Sequence, residues 1–126
     1  MDLFLSFNGR INRAKWWLGI LILLVAQWVV IFIFSSFFGM GMMVSADPEA
    51  MQAAAFSSMI PSIILMLIFI YPGLALYAKR WHDRNKSGWW SLIILVPVVG
   101  VIWVLIELGI LRGTDGDNRF GPDPLA

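Results

Sequence analysis

Cysteine is absent from this 126-residue chain, histidine occurs once, and only 13% of the residues are charged. The first absence removes disulfides, thiolate metal sites and cysteine nucleophiles together. One histidine beside one acid falls short of the three or four ligands that a metal site wants. There is also no nucleophile and base pair, metal set or phosphate-binding loop, so the expectation is a protein that is not an enzyme and holds no cofactor or metal. A formal net charge of +1 leaves no basis for binding nucleic acid. Lipidation has no acceptor, because the second residue is not glycine and no cysteine is available.

What the chain does have is apolar sequence. Hydrophobic residues make up 60% and the mean hydropathy is +0.80, beyond what a soluble domain of mixed composition carries. Three nearly charge-free runs, at about 16–38, 59–78 and 89–111, are each close to the roughly 20 residues a helix needs to cross a hydrocarbon core about 30 Å thick. The expected fold is therefore all-α: a small helical integral membrane protein with three transmembrane helices in a single membrane domain, 1–126. The first run is too long for the 7 to 15 residues of a signal core and reads as a retained anchor. Its fifteen Leu, Ile, Val and Phe between 18 and 38 outweigh the single polar Gln27. Of the seven tryptophans, Trp16, Trp17, Trp81, Trp89 and Trp90 fall at run ends, as an aromatic belt at the headgroup level requires.

Asn12 is placed to cap the first helix, and Asp47 with Pro48 to open a short helical element around 46–52. Pro72 predicts a kink in the second helix, since it cannot donate to the Ile68 carbonyl. The third run contains Pro97 and Gly100. It is read as a full span that bends there; the alternative is a re-entrant hairpin with arms of about 8 to 11 residues, too short to cross.

Seven of the nine basic residues lie before the first run (Arg10, Arg13, Lys15) or in the expected loop 79–88 (Lys79, Arg80, Arg84, Lys86). With three full spans, the positive-inside rule puts the N-terminus and that loop in the cytoplasm, and the turn-rich tail 112–126 on the periplasmic or extracellular side. The same basic residues suit a bilayer with anionic headgroups, each attracted by about 1 kcal/mol near the surface.

Arg80, Trp81, His82, Asp83 and Arg84 place the lone histidine beside a carboxylate. Such a histidine, oriented by Asp83, could relay protons or sense pH; the plainer reading is a salt-bridged loop anchored by aromatics. Arg10 and Arg13 could clamp a phosphate between them. Glu107 is the only formal charge inside a run, near enough to its end to snorkel, and Gln27 sits nearer mid-membrane, where it could hydrogen-bond across helices. Ser58 and Ser62 offer a small-residue contact face. Asp115 and Asp117 mimic a calcium loop only superficially, since no glutamate closes it; Arg119 is instead available to Asp115, Asp117 or Asp123.

Four segments occur in order: GRINRAKWW at 9–17, KRWHDRNKSGWW at 79–90, PVVG at 97–100 and GTDGDNRFGPDP at 113–124. Together they resemble domain-of-unknown-function family 805, a group of small bacterial inner-membrane proteins. The resemblance rests on Gly9, Arg10, Arg13 and Trp17, on Arg80, His82, Asp83, Ser87, Trp89 and Trp90, and on Gly113, Thr114, Gly116, Asn118, Arg119, Phe120, Gly121 and Pro122. Trp16 and Trp81 depart from it, as do Asn12 and Lys15, which replace a reciprocal Ser and Glu cap. It implies a bacterial inner-membrane location and no activity. It also marks Arg10, Arg13, Arg80, His82, Asp83, Trp89, Trp90, Asn118 and Arg119 as one functional or structural cluster, and suggests that the tail meets the two basic motifs. The function expected is association with itself or with other membrane proteins, against the alternative of a subunit of a small oligomeric channel or transporter using Gln27 and Glu107.

Overall fold

The computed structural model describes residues 2–44 and 47–126, and among them the chain is helical apart from turns. Helix α1 spans Arg13–Val44 and α2 spans Pro48–Asp83. A 3₁₀ helix, Gly88–Leu95, is followed by α3, Val99–Val104, which continues as a π-helical turn, Leu105–Ile110. The chain forms two compact units, Met1–Leu21 with Tyr71–Ala126, and Ile22–Ile70.

Local signals place the helix starts. The backbone N–H of Lys15 donates to Asn12 Oδ1 at 2.9 Å, so Asn12 is the cap that the sequence indicates. Glu49 N–H donates to Asp47 Oδ1 at 3.1 Å, and Pro48 takes the first helical position, where no donor is needed. The expected element at 46–52 is thus the start of α2, with residue 46 outside the described residues. Ala50, Ala53, Ala54 and Ala55 are strong helix formers, which carries α2 well beyond the expected 59–78. At the other end the expected loop 79–88 shrinks to a turn, because α2 continues to Asp83.

The apolar stretches of α1 and α2 bury almost none of their residues inside the chain. A soluble amphipathic helix hides its apolar stripe against a core; helices apolar all round and uncovered fit hydrocarbon. At about 1.5 Å per residue, α1 and α2 are roughly 48 and 54 Å long, enough to cross with their polar ends outside.

The third run doubles back as a hairpin rather than forming one continuous helix. Its arms are the 3₁₀ helix and the α3 segment with its π turn, of 8, 6 and 6 residues, so each arm is only about 16 to 18 Å long. The reversal is a γ-turn at Val98 (φ +65, ψ −61), where Val99 N–H donates to the Pro97 carbonyl at 2.7 Å. Positive φ is strained for a β-branched residue, and Pro97 has already removed the donor that would have continued the helix. Gly100 lets the arms close: a Cβ there would meet the Ile93 backbone, including its carbonyl oxygen.

The core lies in the first unit. Ile11, Trp16, Ala75, Leu76, Trp81, Val104 and Leu108 are buried. Gly19 admits Leu76, whose methyl would lie 2.6 Å from an added Cβ, and Gly109 admits Trp17 at 2.7 Å. Gly100, Val104 and Leu108 recur every four residues, so the second arm of the hairpin turns one face inward.

Candidate functional site

Basic side chains from the N-terminal segment and from α2 itself converge on Asp83. Arg10 Nε donates to Asp83 Oδ1 at 3.1 Å and Arg10 Nη2 lies 3.0 Å from the same oxygen, while Arg80 Nη1 engages Oδ2. The side chains of Arg10 and Arg80 are 0% exposed and that of Asp83 is 5%. One carboxylate cannot neutralise two buried guanidinium groups, so backbone carbonyls supply the rest. Arg10 donates to Gly116, Gly121 and Thr114, and Arg80 to Leu108, Ile11 and Leu111. Planar guanidinium, with five donors, suits this many-partner role in a way ammonium does not.

The π-helical end explains why so many carbonyls are available. A helix leaves its last carbonyls without partners and carries partial negative charge there. Here Leu108 O and Leu111 O accept from Arg80, Gly109 O from Trp17 Nε1 at 3.1 Å, and Ile110 O from Arg13 at 2.7 Å. Arg13 is therefore a cap for this helix end. Arg10 is buried on Asp83, so the two do not form the phosphate clamp that their spacing suggests.

His82 is not oriented by Asp83, and the plainer reading of a salt-bridged segment anchored by aromatics fits the contacts. Neighbouring residues on a helix diverge by about 100°, and Asp83 faces the arginines. His82 Nδ1 instead lies 3.0 Å from the Gly9 carbonyl, which only accepts, so the proton sits on Nδ1. Gly9 reaches this position with φ +90, a conformation that glycine adopts without strain. The imidazole stacks on Phe120 with centroids 4.0 Å apart and planes within 5°. Asn118 Nδ2 donates to the His82 carbonyl at 2.9 Å. His82 thus seats the tail.

Thr114 N–H donates to the Asp83 carbonyl at 2.7 Å, and Gly113 lies so close to the Asp83 carboxylate that a Cβ would collide with it. The tail is therefore packed on the end of α2, and the hairpin returns the chain to the point at which it left that helix. Within the tail, Asn118 and Gly121 exchange backbone hydrogen bonds at 3.1 Å. Leu125 N–H and then Gly116 N–H donate to Asp123 and hold its carboxyl below the usual value. Arg119 meets none of the acids offered to it: it lies over the Phe120 ring at 4.7 Å and reaches the Asn85 carbonyl at 3.4 Å. Asp115 pairs with Arg112 at the surface.

Glu107 is paired on both oxygens, to Arg84 at 2.9 Å and Lys86 at 2.8 Å. Lys86 also lies over the Trp81 and Trp90 rings, at 5.8 and 5.3 Å. Trp89 is 78% exposed and Trp90 is exposed, at the start of the hairpin's first arm. Because these ion pairs are partly open to solvent, Glu107→Gln is expected to lower stability by only about 1 kcal/mol. A small drop in melting midpoint in detergent checks it, and insensitivity of that drop to added salt would show that the pairs are not its cause.

Gln27 belongs to the second unit, where it lines a groove of about 400 Å³ with Val30, Ile31, Phe34, Ser62, Leu65, Met66, Phe69 and Ile70. Ser62 and Ser58 donate back to the carbonyls of Ser58 and Ala55, so their hydroxyl protons are already committed. Sequence reasoning gave no role to Gly109 and read Lys79 as a loop residue facing the headgroups. Lys79 is buried and donates to the Asp2 and Leu3 carbonyls; its place in a basic run hides this, because basic runs usually face solvent. Among the described residues no group of three or more His, Asp and Glu is placed to hold a metal.

The chain is similar to Escherichia coli inner membrane protein YhaH, 31% identical over 96% of this chain and 88% of that one. It is similar also to E. coli inner membrane protein YhaI, 41% identical over 50% of this chain and 52% of that protein. A third relative, the E. coli protein YiiR, is 28% identical over 94% of this chain and 85% of that one. No solved structure matches. Neither these names nor the family's description indicates a catalytic activity. Residues 4–122 match the model of the family described as protein of unknown function (DUF805), which holds nearly every buried contact above, and this small helical membrane protein belongs to that family.

Proposed function

We propose that this is a non-enzymatic protein of the bacterial inner membrane that acts by lateral association, pairing with a second copy of itself through the groove at Gln27. The observation that carries the reading is the Gln27 amide. It has no hydrogen-bond partner among the described residues and lies in a groove whose other polar side chain, Ser62, is already bonded to its own helix. In hydrocarbon an amide without a partner is costly, and a neighbouring helix is the available source of one.

The proposal places both chain ends in the cytoplasm. With the tail on the same face as the end of α2, all nine basic residues lie toward one side, leaving Asp47 and Glu49 toward the other, which the positive-inside rule favours over seven against two. The buried arginines support a structural role, since each guanidinium is held by three backbone carbonyls and Asp83. The channel or transporter alternative loses its acid, because both Glu107 oxygens are held by cations.

Full-length protein in phosphatidylethanolamine and phosphatidylglycerol vesicles, followed by energy transfer between donor- and acceptor-labelled copies, tests the association. Gln27→Leu is expected to weaken it about 3- to 20-fold, the equivalent of roughly 0.6 to 1.7 kcal/mol for one interhelical hydrogen bond. Unchanged association would refute the role of Gln27, and ion flux through the same vesicles would favour the alternative.

A further inference from the structure

The hairpin at 88–110 has no use in lateral association through Gln27, yet it presents an exposed apolar turn. Leu95 is 75% exposed and Val98 71%, with Val96 and Val99 exposed beside them. Its first arm runs back along α2. Gly88 lies against Ala78, with an added Cβ 2.9 Å from the Ala78 methyl, and one turn further on Leu92 and Leu74 line a common groove. The arm therefore leaves the polar end of α2 and descends beside that helix's apolar part. Each arm is about 16 to 18 Å long, against about 15 Å for half of a 30 Å hydrocarbon core. The base carries the groups that suit a headgroup layer: Trp89 and Trp90 exposed, Lys86 over the indoles, and Glu107 neutralised by Arg84 and Lys86.

The tip is also chemically fit for hydrocarbon. Irregular backbone is costly there unless its polar groups are satisfied. Of the four N–H groups carried by residues 96–100, three are satisfied: Val96 N–H donates to Ile93 O at 3.0 Å, Val99 N–H to Pro97 O at 2.7 Å and Gly100 N–H to Val96 O at 2.9 Å, while Pro97 has no N–H to satisfy.

We propose that residues 88–110 form a wedge whose partner is the acyl-chain layer of the cytoplasmic leaflet alone, so that the protein favours membranes in which that leaflet is stretched. The hairpin adds two helical rods to one leaflet and none to the other, and extra volume on one side of a bilayer is accommodated best where that side is convex. The inference rests on the cytoplasmic placement of the tail proposed above, and is independent of Gln27.

The natural lack of cysteine makes the test direct. Nitroxide labels at exposed hairpin positions, Trp89→Cys, Leu95→Cys, Val98→Cys, Ile102→Cys and Ile110→Cys, report depth in phosphatidylethanolamine and phosphatidylglycerol vesicles from oxygen and nickel-chelate accessibility. The expected profile deepens from 89 to a maximum at 98, about 15 Å below the phosphates, and becomes shallow again at 110. A profile that runs steadily from one face to the other, or stays at the headgroups throughout, overturns the wedge. In tubes drawn from giant vesicles, protein whose Asp117→Cys faces the outside should show a label-to-lipid ratio above that of the flat parent membrane, and protein of the opposite orientation a ratio below it. Equal ratios overturn the leaflet preference. In intact cells, a membrane-impermeant thiol reagent should leave Ser6→Cys, Ser87→Cys and Asp117→Cys unlabelled until permeabilisation. Labelling at Asp117→Cys would defeat the cytoplasmic placement, whereas protection there with a flat depth profile defeats only the wedge.

Discussion

Asp83→Ala is expected to release the C-terminal tail and to remove about 3 to 5 kcal/mol of stability, the range for taking one partner from a buried ion pair. The penalty arises less from the attraction lost than from what remains: Arg10 and Arg80, both fully buried, keep two positive charges with no carboxylate in direct contact. Folded domains hold only about 5 to 15 kcal/mol in reserve, so such a loss is a large share of the whole. Carbonyl oxygens still meet both guanidinium groups, which tempers the effect without replacing a formal charge. Thermal unfolding in detergent should show the drop, and trypsin should cut at Arg112 and Arg119 faster than in the parent protein. Asp115→Ala is the control, since its pair with Arg112 is exposed and should matter little. Arg10→Lys should fail almost as badly as the loss of Asp83, because a single ammonium cannot reach Asp83, Thr114, Gly116 and Gly121 together. If Asp83→Ala melts and is cleaved like the parent, the tail is held by something other than this network.

Gly100→Ala should also destabilise, although helix propensity alone points the other way. Alanine is favoured over glycine in a helix by about 1 kcal/mol. Against that, the new methyl would enter the Ile93 backbone, and an obstacle of backbone cannot rotate aside as a side chain does. Overpacking costs about 1 to 3 kcal/mol and more where the backbone must move, so the clash wins and the arms part. Gly73 provides the opposite case, a helical glycine in α2 with nothing within 4 Å of an added Cβ. Gly73→Ala should be neutral or stabilise by up to about 1 kcal/mol. Melting midpoints of the two variants measured side by side decide the matter. Equal shifts would mean that Gly100 is not a close contact between the arms.

Part of this molecule was plain from local chemistry. The cap at Asn12, the start at Asp47 and Pro48, the helices through the first two apolar runs and the tryptophans near their ends all follow from interactions within a few residues. The motifs that marked Arg10, Arg80, Asp83 and Asn118 also belong together in space, as the resemblance suggested. Their partners were not legible. Nothing in the order Arg-Trp-His-Asp says that Asp83 turns toward a guanidinium 73 positions earlier while His82 turns toward Gly9 and Phe120, because that choice depends on which elements pack against each face of α2.

The sequence by itself determined that this is a helical membrane protein, because a helix satisfies its own backbone in hydrocarbon and the composition supplies apolar runs long enough to cross as helices. It left the third run open between a span and a hairpin, since length and hydropathy suit both. Only the tertiary structure decided it. Gly100 brings the two arms into contact, four carbonyls at the far end of the hairpin are capped by Arg80, Trp17 and Arg13, and Asp83 holds Arg10 against the tail. A buried charge and an open helix end both require partners, and here each finds its partner in a segment distant along the chain.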